Sequence, residues 1–414
     1  MGGEPDRPAR FAGAGLMRDI LFLAHRIPFP PDRGDKIRSW NLIRHLAGLG
    51  RVHLACFADD EEDAAHLAAL RATLGDRLGE AHVEVRTRSK AVAGARALVE
   101  GRPVSLTLFD SPGLRSFVEA KLADPAVGTV FAFSGQMAQF VPARIRQRFI
   151  MDFGDMDSAK FAQYAEEGSP PMRWVNRREG EKLFAFERAT AARADLCTFV
   201  SESEAALFRE RTGLGNVRAL SNGIDVDHFD PSAEFPRLAF DRPLILFTGQ
   251  MDYAPNAEAV SWFAREVLPL VPGARFAIAG RNPPVSVRAL AGAQVIVTGA
   301  VADMRSWLAA ADVVVAPLKL ARGIQNKVLE AMAMARPVVA SPAAFEGIEA
   351  EPGRHLIVAE GAEATAEAVR RLLAEPGTLG AEARSHMARH YRWAARLAPL
   401  AEMIDPDRPR KVAA

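Results

Sequence analysis

Short apolar runs alternate with longer stretches of mixed polarity along most of this chain. Apolar runs of this kind are typical of strands buried on both faces, and the stretches between them are long enough for helices. The alternation therefore predicts parallel β-sheets covered by helices on both sides. In the first half, strands are predicted at residues 20–25, 52–57, 83–87, 129–134, 148–153, 196–201 and 217–221, and helices at 36–49, 60–78 and 157–192.

A second series of the same kind follows a polar, turn-prone segment. Its strands are predicted at residues 244–248, 275–279, 295–298, 313–317 and 337–341. A chain of 414 residues exceeds what one core usually holds, and two α/β series imply two doubly wound sheets. We predict a disordered extension at 1–16, Rossmann-like domains at 17–222 and 244–380, a linker at 223–243, and a C-terminal helix and tail at 381–414.

Charge and composition exclude several classes of protein. The formal net charge of +1 argues against a nucleic-acid-binding protein. Cys56 and Cys197 lie in apolar runs, as free thiols in a reducing compartment would. No apolar run reaches the ~18–20 residues of a membrane span, so a cytoplasmic location is expected. Basic residues at 86–102 and 144–148 leave two interpretations open: a solvated surface, or contact with anionic headgroups at the inner membrane.

Three predicted strands of the second series end in glycine, at Gly249, Gly280 and Gly299. Ligands of open α/β sheets bind beyond the carboxyl ends of the strands, where glycine lets them approach the backbone closely. Glycine is also common in simple turns. The pattern is therefore compatible with either a ligand site or ordinary turn chemistry.

The segment after the predicted strand at 313–317 has the character of an anion site. A helix is predicted to open near Gly323, and free N–H groups at a helix N-terminus bind phosphate. Lys327 adds a positive charge in the first turn, and Glu330 shares its face, where a carboxylate can accept hydrogen bonds from ribose hydroxyls. The alternative is a surface Lys–Glu pair of little energetic value. The apolar positions predicted to pack on the sheet are Ile324, Val328, Leu329, Met332 and Ala335.

The first half places polar residues beyond two of its predicted strands. His25 ends the first strand and precedes a proline-rich loop, where it is either a polar wall of a site or a histidine with a backbone partner. Asp152, Asp155 and Asp157 are predicted around the end of the strand at 148–153. They suit recognition of acceptor hydroxyls, or capping of the following helix by Asp155 or Asp157.

Several segments resemble a known family. Residues 327–333 (KVLEAMA) with 336–339 (RPVV) resemble the donor-site helix of the family-4 retaining glycosyltransferases of the GT-B fold, and 221–225 (SNGID) resembles their hinge. The resemblance extends over nearly the whole chain from Met17. Four further segments are similar to the sugar transferases of bacterial exopolysaccharide and PEP-CTERM/exosortase systems: residues 31–39, 152–158, 247–256 and 322–327.

The resemblance implies two Rossmann-like domains that face a central cleft, with a nucleotide-sugar donor on the C-terminal one. The donor-binding residues it implies are Gly249, Gln250, Arg322, Gly323, Ile324, Lys327 and Glu330. The chain departs from the family pattern at Arg322, where the family has a glutamate that contacts the transferred sugar. It also has Gln250 where many members have a diphosphate-binding arginine.

On the acceptor side, the resemblance implies a saccharide or polyprenyl-linked acceptor, and transfer with retention. The candidate catalytic residues are His25, Asp152 and Asp155, and the candidate acceptor-loop residues are Arg33, Gly34, Asp35 and Asp157. The Asp-x-Asp spacing mimics the metal motif of a different glycosyltransferase fold. Because that fold has one nucleotide domain rather than two, neither a metal nor another cofactor is expected here.

Two other functions stay open on the sequence alone. A nucleotide-sugar epimerase has the same two-domain fold and needs no acceptor. A non-catalytic scaffold that binds nucleotide sugar is compatible with the substitution at Arg322.

Overall fold

The computed structural model describes residues 18–87, 89–321 and 323–405, except the side chains of Lys90 and Glu167. The described chain divides into two compact units. Unit 1 comprises the described residues up to Leu220 and from Leu397 onward, and unit 2 comprises Ser221–Arg396. The predicted extension at 1–16 lies outside the described residues, as does the end of the predicted tail at 406–414.

Unit 1 contains a seven-stranded sheet in the order β3-β2-β1-β4-β5-β6-β7, in which all neighbouring strands are parallel. The strand order reverses between β1 and β4, which places a crevice at the carboxyl edge of the sheet. The strands are β1 (Asp19–Ala24), β2 (Val52–Ala58), β3 (Leu78–Val85), β4 (Val127–Phe133), β5 (Arg148–Gly154), β6 (Leu196–Phe199) and β7 (Val217–Ala219).

Helices cover both faces of this sheet, as the apolar character of its strands requires. They are α1 (Gly34–Leu49), α2 (Glu61–Ala65), α3 (Leu67–Leu74), α4 (Lys90–Glu100), α5 (Val104–Leu108), α6 (Pro112–Ala123), α7 (Asp157–Glu167), α8 (Met172–Arg193) and α9 (Glu202–Thr212). Short 3₁₀ helices lie at Gly75–Arg77 and Gly135–Phe140.

Unit 2 contains a six-stranded parallel sheet in the order β10-β9-β8-β11-β12-β13, and its switch point lies between β8 and β11. The strands are β8 (Leu244–Thr248), β9 (Arg275–Ala279), β10 (Val295–Gly299), β11 (Val313–Ala316), β12 (Val338–Ala340) and β13 (Ile357–Val358). The helices from this point of the chain on are α10 (Ala254–Trp262), α11 (Val285–Arg288), α12 (Met304–Ala310), α13 (Asn326–Ala333), α14 (Pro342–Phe345), α15 (Ala362–Ala374), α16 (Leu379–His390), α17 (Trp393–Leu397) and α18 (Leu400–Ile404).

Three predicted helices differ from the observed ones. The helix predicted at 60–78 is two short helices, and the predicted helix at 157–192 breaks between α7 and α8 at the Gly168–Pro171 turn, because proline cannot continue a helix. The predicted C-terminal helix is three pieces, α16 to α18. Among the described residues, no helix is long and apolar enough to cross a membrane.

Candidate functional site

Three glycine loops line the carboxyl edge of the unit 2 sheet. Gly249 follows β8, Gly280 follows β9, and Gly299 ends β10, with φ angles of +154°, +151° and +68°. The loops are bonded to one another, since the Gly280 N–H donates to the Gly299 carbonyl at 3.1 Å. A Cβ on Gly280 would lie 1.7 Å from the Gly249 carbonyl oxygen, so only glycine fits there.

Lys327 brings a cation to this edge from the first turn of α13. The helix begins at Asn326, so the predicted start near Gly323 is a turn too early. The Lys327 ammonium donates to the Asn256 side-chain oxygen at 2.5 Å and lies 4.3 Å from the centre of the Phe247 ring. A Cβ on Gly249 would lie 3.3 Å from the Lys327 Nζ atom, which places the ammonium directly at the end of β8.

Burial moves the pKa values of Lys327 and Glu330 toward each other. It lowers the pKa of Lys327 to about 7 and raises that of Glu330 to about 7, although their mutual attraction opposes both shifts. Lys327 is 9% exposed, so the alternative of a surface Lys–Glu pair is wrong. A bound anion beside Lys327 would restore its charge, which makes this an anion site with a carboxylate one helical turn away.

Asn256, in the first turns of α10, connects the two sides of this site. Its side-chain NH₂ group donates to the Gln250 carbonyl at 2.8 Å, and its side-chain oxygen accepts from Lys327. Asn256 belongs to the family-like segment 247–256, but no role was predicted for it. The signal that could have identified it is a polar residue shortly after a glycine-ended strand, because such a side chain can return to the strand end.

The loop before α13 carries the other donor-side predictions. Gly323 has a φ angle of +64°, which only glycine adopts without strain, and Ile324 is buried as predicted. Asn326 accepts a hydrogen bond from Asn222 at 3.4 Å. Arg322 lies outside the described residues, so its role stays a prediction. The structure brings together Gly249, Gln250, Lys327 and, on the face of Lys327, Glu330.

In unit 1, His25 and the loop after it form an ion cluster at the carboxyl ends of β1 and β2. The His25 Nε2 atom lies 3.1 Å from the Asp35 carboxylate, and Arg26 and Arg33 bind the same carboxylate at 2.7 and 2.8 Å. Burial alone would raise the pKa of Asp35, but the hydrogen bond with His25 and the two arginine charges hold it well below its usual range. The partner of His25 is thus a side chain rather than the backbone.

The ion cluster extends to the neighbouring strands. Asp59 accepts from Arg26 at 3.2 Å and from Arg86 at 2.7 Å. The His25 Nδ1 atom is buried without a hydrogen-bond partner among the described residues. Gly34 is the first residue of α1, which begins in this loop. The predicted residues His25, Arg33, Gly34 and Asp35 therefore lie together, with Asp35 as the central acceptor.

Asp152 lies inside β5, which continues to Gly154. Its carboxylate is fully buried and accepts hydrogen bonds from Arg38 of α1 at 2.9 and 3.0 Å. The Gly154 N–H donates to the same carboxylate at 3.1 Å, so Asp152 accepts three hydrogen bonds from buried partners. In this structure Asp152 joins a helix to the sheet and presents no surface to a substrate, so its predicted catalytic position is wrong.

Asp155 and Asp157 lie beyond β5 as predicted, but neither side chain caps α7. Met156 occupies the N-cap position without a side-chain hydrogen bond, and Asp157 is the first helical residue. Glu187 of α8 provides the cap instead, accepting from the Ser158 N–H at 3.1 Å. Burial raises the pKa of Asp155. The described residues contain no group of three or more histidine, cysteine, aspartate or glutamate side chains that could hold a metal ion.

Comparison with known proteins agrees with the position of the glycine loops and Lys327. Residues 242–375 match the model of the family described as glycosyl transferases group 1. This group 1 region contains the three glycine loops, Asn256, Lys327 and Glu330. No curated protein matches the chain in sequence.

Solved structures of low sequence identity share the fold of the whole chain. Sucrose-phosphate synthase from Thermosynechococcus elongatus superposes with a TM-score of 0.68 at 19% identity, over 93% of this chain and 98% of its own. Anabaena HepE in complex with UDP and glucose superposes with a TM-score of 0.65 at 15% identity, over 94% of this chain and 99% of its own. WaaG, a glycosyltransferase involved in lipopolysaccharide biosynthesis, superposes with a TM-score of 0.65 at 16% identity, over 93% of this chain and 99% of its own. The predicted GT-B fold with two Rossmann-like units is confirmed, and the group 1 match with this fold supports a glycosyltransferase.

Proposed function

We propose that this protein transfers a sugar, with retention, from a nucleotide-diphosphate donor held by unit 2 to a saccharide or lipid-linked saccharide acceptor in exopolysaccharide biosynthesis. The observation that carries the proposal is the placement of the Lys327 ammonium at the end of β8, beside Gly249 and Asn256. A buried cation next to a glycine strand end at the switch point of a parallel sheet suits a diphosphate.

Each part of the donor has a candidate partner in the group 1 region. Lys327 and the N–H groups of the first turn of α13 bind the diphosphate, and Glu330 accepts hydrogen bonds from the ribose hydroxyls. Gly249 and Gly280 let the donor approach the strand ends, and Gln250 and Ile324 complete the wall. Arg322 is proposed as a second cation for the diphosphate, in place of the family glutamate.

A uridine nucleotide is the first donor to test, because Anabaena HepE, which shares the fold, was solved with UDP-glucose. The protein lowers the barrier by stabilising the departing diphosphate through Lys327 rather than by forming a covalent intermediate. Because Lys327 supplies positive charge at the leaving group, the reaction needs no divalent metal. Retention and the exopolysaccharide role are supported by the family-like segments alone.

The acceptor side is proposed to be the His25 ion cluster of unit 1. The His25 Nδ1 atom is buried and has no partner among the described residues; an acceptor hydroxyl that reached it would donate a hydrogen bond to it, because the Nε2 atom faces Asp35. Arg33 and Asp35 hold the loop in place, and Asp155 and Asp157 are proposed to contact further hydroxyls. A lipid-linked acceptor would bring the enzyme to the cytoplasmic face of the inner membrane as a peripheral protein.

Thermal unfolding with a panel of UDP-, GDP- and ADP-sugars tests the donor site. A ligand at 100 times its dissociation constant adds about 2.7 kcal/mol to the free energy of unfolding. We expect one nucleotide series to stabilise the wild type and to stabilise Glu330→Gln much less. The matched control is Glu367→Gln, which removes an exposed carboxylate elsewhere in unit 2. If no nucleotide sugar at millimolar concentration shifts the transition, the donor site is wrong.

Turnover of labelled donor separates transfer from the two other functions. A transferase consumes donor only when an acceptor is present, and the product's anomeric configuration reports retention. An epimerase would convert the donor without an acceptor, and a scaffold would do neither. Either of those results would contradict the proposed activity while leaving the donor site in place.

A further inference from the structure

Two helices of unit 1 carry an unusual number of exposed apolar side chains for a water-facing surface. They are α4 and the first turn of α8, and we call the surface they form the α4–α8 face. Among the described residues, its large exposed apolar side chains are Val92, Leu98, Val99, Met172, Trp174 and Val175. Contiguous exposed apolar groups of this size mark an interaction surface more often than chance exposure.

Helix α4 turns its smaller apolar side chains toward the protein and its larger apolar side chains toward solvent. Its inward positions are the small residues Ala93 and Ala97, which are fully buried. Apart from Glu100 at its C-terminal end, its exposed positions follow the helical period and are apolar: Ala91, Val92, Ala95, Leu98 and Val99. Val99 is 89% exposed. A helix that turns alanine inward and valine and leucine outward has its larger apolar face free for a partner.

Helix α8 packs beside the C-terminal end of α4, which makes the surface continuous. Arg178 donates to the Ala97 carbonyl at 2.9 Å, and Glu179 accepts from the Val104 N–H at 2.8 Å. Trp174 precedes Arg178 by one helical turn and so lies on the same side of α8. Trp174 is 61% exposed and is thus presented next to the last turn of α4.

Positive charge accompanies the apolar groups. Arg173 and Arg177 are exposed, and neither forms an ion pair with a carboxylate in the part of the chain that the structure describes. Arg96 of α4 pairs with Glu100 and Asp110, and Arg102, just after the helix, pairs with Glu100. The face therefore combines apolar side chains with an excess of arginine, and an anionic surface would complement that charge.

We propose that the α4–α8 face docks on the surface of an anionic phospholipid bilayer. Valine, leucine and tryptophan side chains enter the boundary between headgroups and acyl chains, while arginines contact lipid phosphates. Tryptophan beside arginine is the pairing favoured at membrane interfaces. Arg173 and Arg177, which lack ion pairs with described carboxylates, favour a lipid surface over an apolar protein partner. The inference concerns binding only and does not depend on the proposed reaction.

Flotation of the full chain with vesicles tests this proposal. We expect the chain to bind vesicles of phosphatidylglycerol and phosphatidylcholine, and to bind pure phosphatidylcholine at least about fivefold more weakly, as the loss of about 1 kcal/mol per basic residue implies. Val99→Asp and Trp174→Ala should each weaken binding by about tenfold, because each removes an apolar group from the interface. Arg177→Gln should weaken binding to anionic vesicles by about fivefold and leave binding to neutral vesicles unchanged.

The matched control is Val285→Asp, a charge placed on another largely exposed valine, 72% exposed, in unit 2. It should bind vesicles as the wild type does. The melting temperature of each variant shows that it is folded. Equal binding by Val99→Asp and wild type, or no preference for anionic vesicles, would overturn the proposal. So would a wild type that dimerises without lipid and becomes monomeric on Val99→Asp, since the face would then bind a second copy of the chain.

Discussion

At the residue scale, the pair Lys327 and Glu330 joins electrostatics to ligand binding. Because burial moves both pKa values to about 7, each side chain is only partly charged near neutral pH. A bound diphosphate would supply the anion that the Lys327 ammonium lacks, and a ribose would supply hydrogen-bond donors to the Glu330 carboxylate. The ligand-free site therefore keeps charged groups in an unfavourable environment. Natural proteins retain such groups where they serve a ligand rather than stability.

This pair predicts a pH optimum for donor binding. Affinity for UDP-glucose should be highest near pH 7, because both pKa values lie at about 7. Above that pH the free protein must take up a proton on Lys327 to bind a phosphate. Below it, Glu330 must release a proton to accept from the ribose. Each limb should fall by about tenfold per pH unit, measured by calorimetric titration from pH 5.5 to 9.

Two variants show which residue causes each limb of this pH profile of donor affinity. Lys327→Met should weaken binding by about 1.5–3 kcal/mol and flatten the alkaline limb, since a charge-assisted hydrogen bond is lost. Glu330→Gln should flatten the acidic limb. An affinity that stays constant across the range would exclude both residues from the donor site.

We predict that replacing Asp152 lowers the stability of unit 1 rather than impairing catalysis directly. Asp152→Asn removes the carboxylate charge that pairs with the buried Arg38 guanidinium, which should lower the free energy of unfolding of unit 1 by about 3–5 kcal/mol. Urea denaturation followed by circular dichroism measures this. The exposed pair of Arg370 and Glu367 is the control, and Glu367→Gln should change stability by at most about 1 kcal/mol. A variant with wild-type stability and no turnover would restore the catalytic role.

At this scale, the sequence predicts the role of a residue when that role depends on residues close to it along the chain. Lys327 and Glu330 belong to one helical segment, so its pattern was enough to predict their shared face, although not their burial. Asn256 and Arg38 act on residues 71 and 114 positions away. No local pattern encodes such pairings, because they depend on which strands become neighbours in the folded sheet.

At the element scale, the three glycine loops form the edge on which the donor is proposed to bind. They stack through backbone hydrogen bonds, so each loop fixes the position of the next. The Gly280 Cα atom faces the Gly249 carbonyl at a distance that no side chain can share. The shape of the edge thus depends on the absence of a Cβ atom at one position.

Gly280→Ala should therefore destabilise unit 2 and weaken donor binding together. The new Cβ atom meets backbone rather than a flexible side chain, and the φ angle of +151° is also unfavourable for alanine. We expect a loss of at least about 3 kcal/mol in the free energy of unfolding. Gly292→Ala, where a Cβ meets nothing within 4 Å, should change stability by at most about 1 kcal/mol. Equal effects at both positions would contradict this account.

Strands were easier to predict than the helices around them. Those predicted at 244–248 and 275–279 are confirmed residue for residue, because fully buried parallel strands have continuous apolar sequences. Strand β13 was missed because it has two residues, too few for a pattern. Helix α4 was not predicted because its outward side is apolar, which removes the amphipathic period that identifies helices.

At the scale of the whole molecule, the chain leaves unit 1 at Leu220 and returns to it at Leu397. The returning segment is anchored, since Arg148 donates to the Met403 carbonyl at 2.7 Å. Leu400 is fully buried and Ile404 nearly so. Unit 1 is therefore completed by residues that are synthesised after the whole of unit 2.

This path predicts that Leu400 stabilises unit 1 and not unit 2. Leu400→Ala should cost about 2–5 kcal/mol, as for other fully buried leucines. Calorimetry with and without UDP-glucose should show the loss in the transition that the ligand does not shift. Leu270→Ala, at a position 38% exposed in unit 2, should cost far less. If Leu400→Ala lowers the ligand-shifted transition instead, the assignment of this segment to unit 1 is wrong.

The return of the chain to unit 1 also decides how such a protein can be recombined. Unit 2 is one uninterrupted stretch of sequence, Ser221–Arg396, whose two ends are both continuous with unit 1. A chimera that joins two parents at a single crossover would separate the last helix from the body that it completes. Exchange of donor preference between relatives therefore requires two crossovers, with unit 2 transplanted as a cassette.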